Sequence, residues 1–146
     1  VTGTGVLKKT SVKTMPHPGF PTDLQPQITT LLTLAQGTSI VTEDIFDNRF
    51  KYVDELRRMG ADISVDGKVA VVEGTGKLKG APVKANDLRA GAAMIIAALT
   101  AYGTSEIRGV QYIERGYENV IEKFRGLGGN ISVSEIPDEE EVLSAG

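Results

Sequence analysis

An internal duplication restricts the possible folds of this chain more than any other feature. Leu88, Ala92, Ile95, Ile96 and Leu99 recur at i, i+4, i+7, i+8 and i+11, the spacing of a helix buried along one face. Leu24, Ile28, Leu31, Leu32 and Ala35 form an equal stripe earlier in the chain, and Asp23 precedes it as Asp87 precedes the second. Farther along, Val120, Ile121, Phe124 and Leu127 repeat the order and spacing of Tyr52, Val53, Leu56 and Met59. Ile131 and Val133 follow Ile63 and Val65 by the offset that separates those two sets. The period exceeds that of the common solenoid repeats, so each copy is a subdomain rather than one link in an array.

The first copy, about 6–73, reads as a strand from Val6 to Thr14 and a stiff Pro-rich loop at Pro16–Pro21. A helix from Thr22 to Gln36 follows, with a Thr22/Gln25 capping box and Gly37 as its left-handed stop. Thr38–Thr42 is a strand, Glu43–Arg49 a connection, and Tyr52–Met59 a second helix. Asp62–Asp66 and Val69–Glu73 are strands joined by the Asp66-Gly67 turn. The second copy, about 81–135, opens at Ala81–Lys84. Asn86 caps its long helix, Gly103 ends it, Thr104–Arg108 is a strand, and Tyr117–Leu127 is a helix before a strand at Ile131 and Val133. The acidic tail, 136–146, is expected to be solvated. Strands alternating with helices place the chain in the α/β class and by themselves suggest a doubly wound sheet.

Charge and composition narrow the function. A net charge of −3 with no basic clustering leaves no electrostatic footprint for nucleic acid or an anionic membrane. The absence of cysteine removes thiolate metal sites and cysteine nucleophiles from this chain. His17, the one histidine, lies between prolines with no convergent partner and is assigned no chemistry. No apolar run approaches the ~20 residues of a membrane span, so a soluble cytoplasmic protein is expected.

Four polar positions are doubled by the repeat. Asp23 and Asp87 sit in the first turns of the long helices, and Arg49 and Arg115 stand at equivalent places before the second helix of each copy. The aspartates can cap their helices and complement the dipole, and the arginines can be surface charges. Equally, helix N-termini and guanidinium groups can converge on a phosphate or carboxylate, with an aspartate placed to take a proton from a sugar hydroxyl. Periodicity alone leaves both readings open.

The wording of the motifs is more specific. Pro18-Gly19-Phe20-Pro21-Thr22-Asp23-Leu24-Gln25, Phe46-Asp47-Asn48-Arg49-Phe50, Val53 to Asp62, Asp87-Leu88-Arg89-Ala90 and Arg115-Gly116-Tyr117-Glu118 resemble, in order, the UDP-N-acetylglucosamine enolpyruvyl transferases (1-carboxyvinyltransferases) over about Val12 to Val133. The resemblance implies an inside-out α/β (α+β) barrel-like fold, with two βαβαββ-type repeats whose helices are buried and whose sheets lie outside. It implies transfer of the enolpyruvyl group of phosphoenolpyruvate to the 3′-hydroxyl of UDP-N-acetylglucosamine. The reaction passes through a tetrahedral phosphate-bearing adduct and releases phosphate, as the first committed step of peptidoglycan synthesis. By motif, Asp23 and Arg115 would be catalytic. Asp23, Ile45, Arg49, Asp87, Arg89 and Arg115 would bind substrate, with no metal and no cofactor.

The same resemblance implies that residues 1–146 are a partial second domain. The family's amino-terminal part, with its reactive cysteine, a lysine and further arginines, is absent from this chain, so the chain alone is expected to be inactive. Its expected partners are the two substrates and the missing part of the same enzyme, with self-association through uncovered helices. The competing readings are a non-catalytic binding or interaction module, or a relative acting in the shikimate pathway.

Overall fold

Both halves of the chain begin with a strand, a helix and a second strand laid parallel to the first, because a helical crossover returns the chain to the same edge in the same direction. The computed structural model describes residues 2–135, and the acidic tail lies outside the described residues. In the first half β1 (Ser11–Lys13) leads through α1 (Gln25–Leu32) to β2 (Thr38–Thr42), with Ser11 opposite Ile40. In the second, β5 (Pro82–Lys84) leads through α3 (Leu88–Thr100) to β6 (Glu106–Arg108), with Pro82 opposite Glu106. The two are clasped alike. The Ser39 hydroxyl accepts the Thr10 N–H at 3.2 Å, and Ser105, its counterpart in the second half, accepts the Ala81 N–H at 3.4 Å. Gly37 and Gly103 turn the chain out of the two helices at φ +92° and +89°, a conformation that favours glycine.

The halves then diverge. α2 (Val53–Arg58) is followed by the hairpin β3 (Asp62–Asp66) and β4 (Val69–Glu73), turned at Gly67 with φ +56°. β4 inserts between β2 and β3, giving a four-stranded sheet in the order β1-β2-β4-β3. Among the described residues the second half has only the two-stranded β5-β6 sheet, then α4 (Val110–Glu114) and α5 (Val120–Gly126). The strand expected at Ile131 and Val133 does not form: among the described residues no neighbouring strand pairs with it, and an unpaired backbone has no ladder. Even so, one contact repeats across this break. Arg57 donates to Ile63 O at 2.9 and 2.7 Å and to Asp54 at 2.8 Å. Arg125, its counterpart in α5, donates to Ile131 O at 2.7 Å and to Glu122 at 2.8 Å.

The α/β mixture and the buried helices agree with the sequence reading, but the doubly wound sheet does not appear, and the described sheets do not close into a barrel. The buried helix faces are rotated from the apolar stripe. α3 buries Ala90, Gly91, Ala93, Met94, Ile95 and Ala97, and α1 buries Gln25, Pro26, Thr29, Thr30 and Leu32. Ile95, Leu32 and Ala35 of the stripe are buried, whereas Leu24 is 48% and Leu31 38% exposed. The two helices pack on each other, and close approach selects small residues there. The buried threonines satisfy their hydroxyls within the helix: Thr29 donates to Gln25 O and Thr30 to Pro26 O, both at 2.9 Å. α3 also joins two cores. Met94 packs with Val41, Leu56, Met59 and Val72 under the larger sheet, and Ile95 packs with Ala85, Ile113 and Val120.

Candidate functional site

The two helix starts, equivalent in sequence, are built differently. Asp87, rather than Asn86, is the N-cap of α3, and its carboxylate accepts the Arg89 and Ala90 N–H groups, each at 2.9 Å. Here the capping reading holds. Asp23 caps nothing. It lies in a short 3-10 turn, Thr22–Leu24, ahead of α1, and neither that turn nor α1 has a side-chain cap, so the Thr22/Gln25 box does not form. Asp23 instead accepts from Arg89 Nε at 2.5 Å, an ion pair joining the two halves of the chain.

Beside this pair is a depression lined by Thr22, Asn48, Arg49, Lys51, Asp87 and Arg89, with Gln25 and Tyr52 at its floor. Arg49 comes from the β2–α2 connection, where its guanidinium carbon sits 4.3 Å from the centre of the Phe46 ring. Stacking of this kind holds a cation in place without neutralising it. Three cationic side chains, Arg49, Lys51 and Arg89, therefore line one depression at the junction of two helix starts and a loop, and Arg89 among them pairs with the exposed Asp23 carboxylate at its edge. The cavity is about 40 Å³, room for roughly one water molecule and far below the ~300 Å³ or more of a small-molecule pocket. The residues form a shallow wall rather than an enclosed pocket.

The wall is held from behind by a buried carboxylate that sequence reading passed over as part of a connection. Glu43, 1% exposed, accepts from the Thr14 hydroxyl at 2.7 Å, the Thr22 hydroxyl at 2.5 Å, the Ile45 N–H at 3.1 Å and Gln25 Nε2 at 3.5 Å. Gln25 Oε1 in turn accepts from the Tyr52 hydroxyl. Burial pushes the Glu43 carboxyl up, but the Thr22 and Thr14 hydroxyls with the Ile45 and Phe46 N–H groups together outweigh it and leave the group below its ordinary 4.5. Burial also raises the Tyr52 phenol far above its usual range. No sequence signal marks Glu43, because its donors come from separate segments of the chain.

A depressed carboxyl stabilises the fold above its unfolded value and loses that contribution as pH falls through the folded one. The urea midpoint of the chain should therefore drop as pH is lowered below 4.5. Glu43→Gln, which carries no charge to titrate, should show a shallower drop over the same interval. Parallel curves for the two proteins would contradict this assignment.

Of the other expected site residues, Ile45 is half-buried and its N–H is already engaged by Glu43. Arg115 is the exposed C-cap of α4 and does not line the depression. The adjoining Gly116 does reach the start of α3, where an added Cβ would lie 2.3 Å from Leu88. The structure thus gathers Asp23, Arg49, Asp87 and Arg89 and leaves Arg115 apart. Thr22, Asn48, Lys51 and Glu43 are the residues that sequence reasoning did not assign to this site.

Residues 3–124 match the family model described as EPSP synthase (3-phosphoshikimate 1-carboxyvinyltransferase). The chain is 56% identical over 131 residues to a UDP-N-acetylglucosamine 1-carboxyvinyltransferase of Carboxydothermus hydrogenoformans, covering 90% of this chain and 31% of that one. A Clostridium botulinum protein of the same name is 58% identical over 127 residues, 87% of this chain and 30% of its own length. Among solved structures, the enolpyruvyl transferase NikO from Streptomyces tendae superposes with a TM-score of 0.83 at 30% identity, over 92% of this chain and 31% of NikO. An EPSP synthase from Acinetobacter baumannii, at 22% identity and a TM-score of 0.70 over 75% of this chain and 27% of its own, shares the fold. The chain spans about a third of the length of the curated relatives it matches.

Proposed function

This chain belongs to the EPSP synthase (3-phosphoshikimate 1-carboxyvinyltransferase) family, and from that premise we propose that it is part of a transferase moving the enolpyruvyl group of phosphoenolpyruvate onto the 3′-hydroxyl of UDP-N-acetylglucosamine. The observation that carries this reading is the meeting of Asp23 and Arg89 across the two units, with Arg89 and Arg49 lining one depression. The names of the relatives at 56% and 58% identity support the sugar nucleotide as acceptor. Such a reaction would serve the first committed step of peptidoglycan synthesis.

In this reading Asp23 takes the proton of the sugar hydroxyl as its oxygen bonds to the central carbon of phosphoenolpyruvate, and the methylene carbon gains a proton that comes ultimately from solvent. The resulting tetrahedral adduct then loses phosphate and a methyl proton to restore the double bond. The carboxylate keeps its charge while negative charge builds on the phosphate as it leaves with the electrons of its C–O bond, and Arg49, Arg89 and Arg115 stabilise both. Arg115 belongs to the phosphoenolpyruvate side, consistent with its place outside the depression lined by Arg49 and Arg89. Asp87 acts through its cap, fixing the turn that presents Arg89.

Because the depression is one wall, the chain by itself should release no phosphate from the two substrates. It should retain weak affinity for UDP-N-acetylglucosamine. Calorimetric titration of the chain checks this: measurable heat that disappears with Asp23→Ala supports a retained half-site. Binding that survives the substitution, or robust phosphate release by the chain alone, would contradict the reading. A non-catalytic module built on the same fold would behave identically with and without Asp23.

A further inference from the structure

Glu43 touches none of the side chains assigned to substrate, yet it joins the two segments that carry them. One carboxylate oxygen, Oε2, accepts from Thr14 at the end of β1 and from the Ile45 N–H in the β2–α2 connection. The other, Oε1, accepts from Thr22, which immediately precedes Asp23, and from Gln25 in the first turn of α1. Among the described residues no cation pairs with it. An ionised carboxylate buried on neutral donors alone is costly unless every donor stays in place, so the group works as a fixed spacer. Thr14 adds a further link, its hydroxyl accepting the Asp44 N–H at 2.9 Å. The stretch from Asp44 to the stacked Arg49 is thereby tied at its root to the turn bearing Asp23.

We propose that Glu43 is a positioning residue for the sugar-nucleotide half-site, holding Asp23 at a set distance from the Ile45–Arg49 segment. This rests on the transferase reading given above and adds to it a group that never meets substrate. The two oxygens make the claim separable. Glutamine at 43 keeps a carbonyl oxygen for Thr14 and Ile45 but turns an amide toward Thr22 and toward the Gln25 amide. The Thr22 hydroxyl can reverse and accept from that amide, but the contact to Gln25 Nε2 is lost and the charge is gone, so it is the Asp23 side that is weakened. Thr22→Val releases that same side from the opposite partner, while Thr22→Ser keeps the hydroxyl.

The test is steady-state kinetics of the full-length transferase that carries this chain. Glu43→Gln and Thr22→Val should each raise KM for UDP-N-acetylglucosamine roughly tenfold, the scale of one charge-assisted hydrogen bond. The double variant should be no worse than either single one, since both cut one link. Thr22→Ser should stay within about twofold, and KM for phosphoenolpyruvate should hardly move in any of them. A lowered melting temperature with both KM values unchanged, or additive losses in the double variant, would overturn the proposal and leave Glu43 a purely structural group. Asp23→Asn serves as the reference. If it too leaves sugar-nucleotide kinetics intact, the half-site reading itself fails. If it abolishes turnover while Glu43→Gln changes nothing, only the positioning role is lost.

Discussion

Asp23→Asn should lower kcat of the proposed full-length transferase by about 10²- to 10⁴-fold, the usual span for removing a general acid–base group, whereas Asp87→Asn should leave it within a few-fold. The two residues are equivalents of one duplication, so composition and local sequence do not separate them. Geometry does. Asp87 spends its carboxylate on the Arg89 and Ala90 N–H groups, a task asparagine performs about as well. Asp23 makes no cap and faces Arg89 across the unit boundary with its side chain 65% exposed. An amide there cannot accept a proton, and it leaves Arg89 without its carboxylate partner. Phosphate release under saturating substrates reads the difference directly. Similar losses at both positions would mean that the aspartates are interchangeable supports and that the cross-unit pair has no chemical role.

A second large effect is expected on stability. Gly74→Ala should destabilise the chain by about 3 kcal/mol, the upper end for forced overpacking, and lower the melting temperature by roughly 10 °C. Gly74 follows β4 where the chain crosses the end of α1, and a Cβ placed there would stand 1.6 Å from the Ala35 carbonyl oxygen. That neighbour is backbone and has no rotamer to yield. The Gly74 and Thr75 N–H groups bond to Gly37 O at 3.0 Å and Thr33 O at 2.9 Å, so relief by moving the strand breaks both links between helix and sheet. Gly126 gives the contrast: it closes α5, and an added Cβ meets nothing within 4 Å. Gly126→Ala should leave stability unchanged or raise it by up to about 1 kcal/mol. Thermal melts of the two variants side by side check the sign of each. A Gly74→Ala protein melting with the parent would show that the strap is not packed as described.

The duplication, most element positions and the turn glycines are legible in the sequence because they depend on local spacing and on backbone conformations open chiefly to glycine. The stripe Leu88-Ala92-Ile95-Ile96-Leu99 marks a helix but misplaces its buried face. A pattern along one helix cannot say that its neighbours will bury the side carrying Ala90, Ala93 and Ala97. The short helix α4 is too brief for a period to separate it from a connection, and the strand at Ile131 lacks the partner that periodicity takes for granted.

By itself, then, the chain's order of residues determined that there are two related units, each opening with strand, helix and strand, and each presenting an aspartate at a helix start. What only the folded molecule decided was which aspartate is spent on its own backbone and which is left for a partner, and that Glu43 lies behind both the helix start and the loop. The physical reason is reach. Capping and turning are settled within about four residues, but the Asp23–Arg89 pair spans 66 positions and the Glu43 bonds to Thr14, Thr22 and Gln25 span 18 to 29, and such separations acquire a distance only when the chain packs.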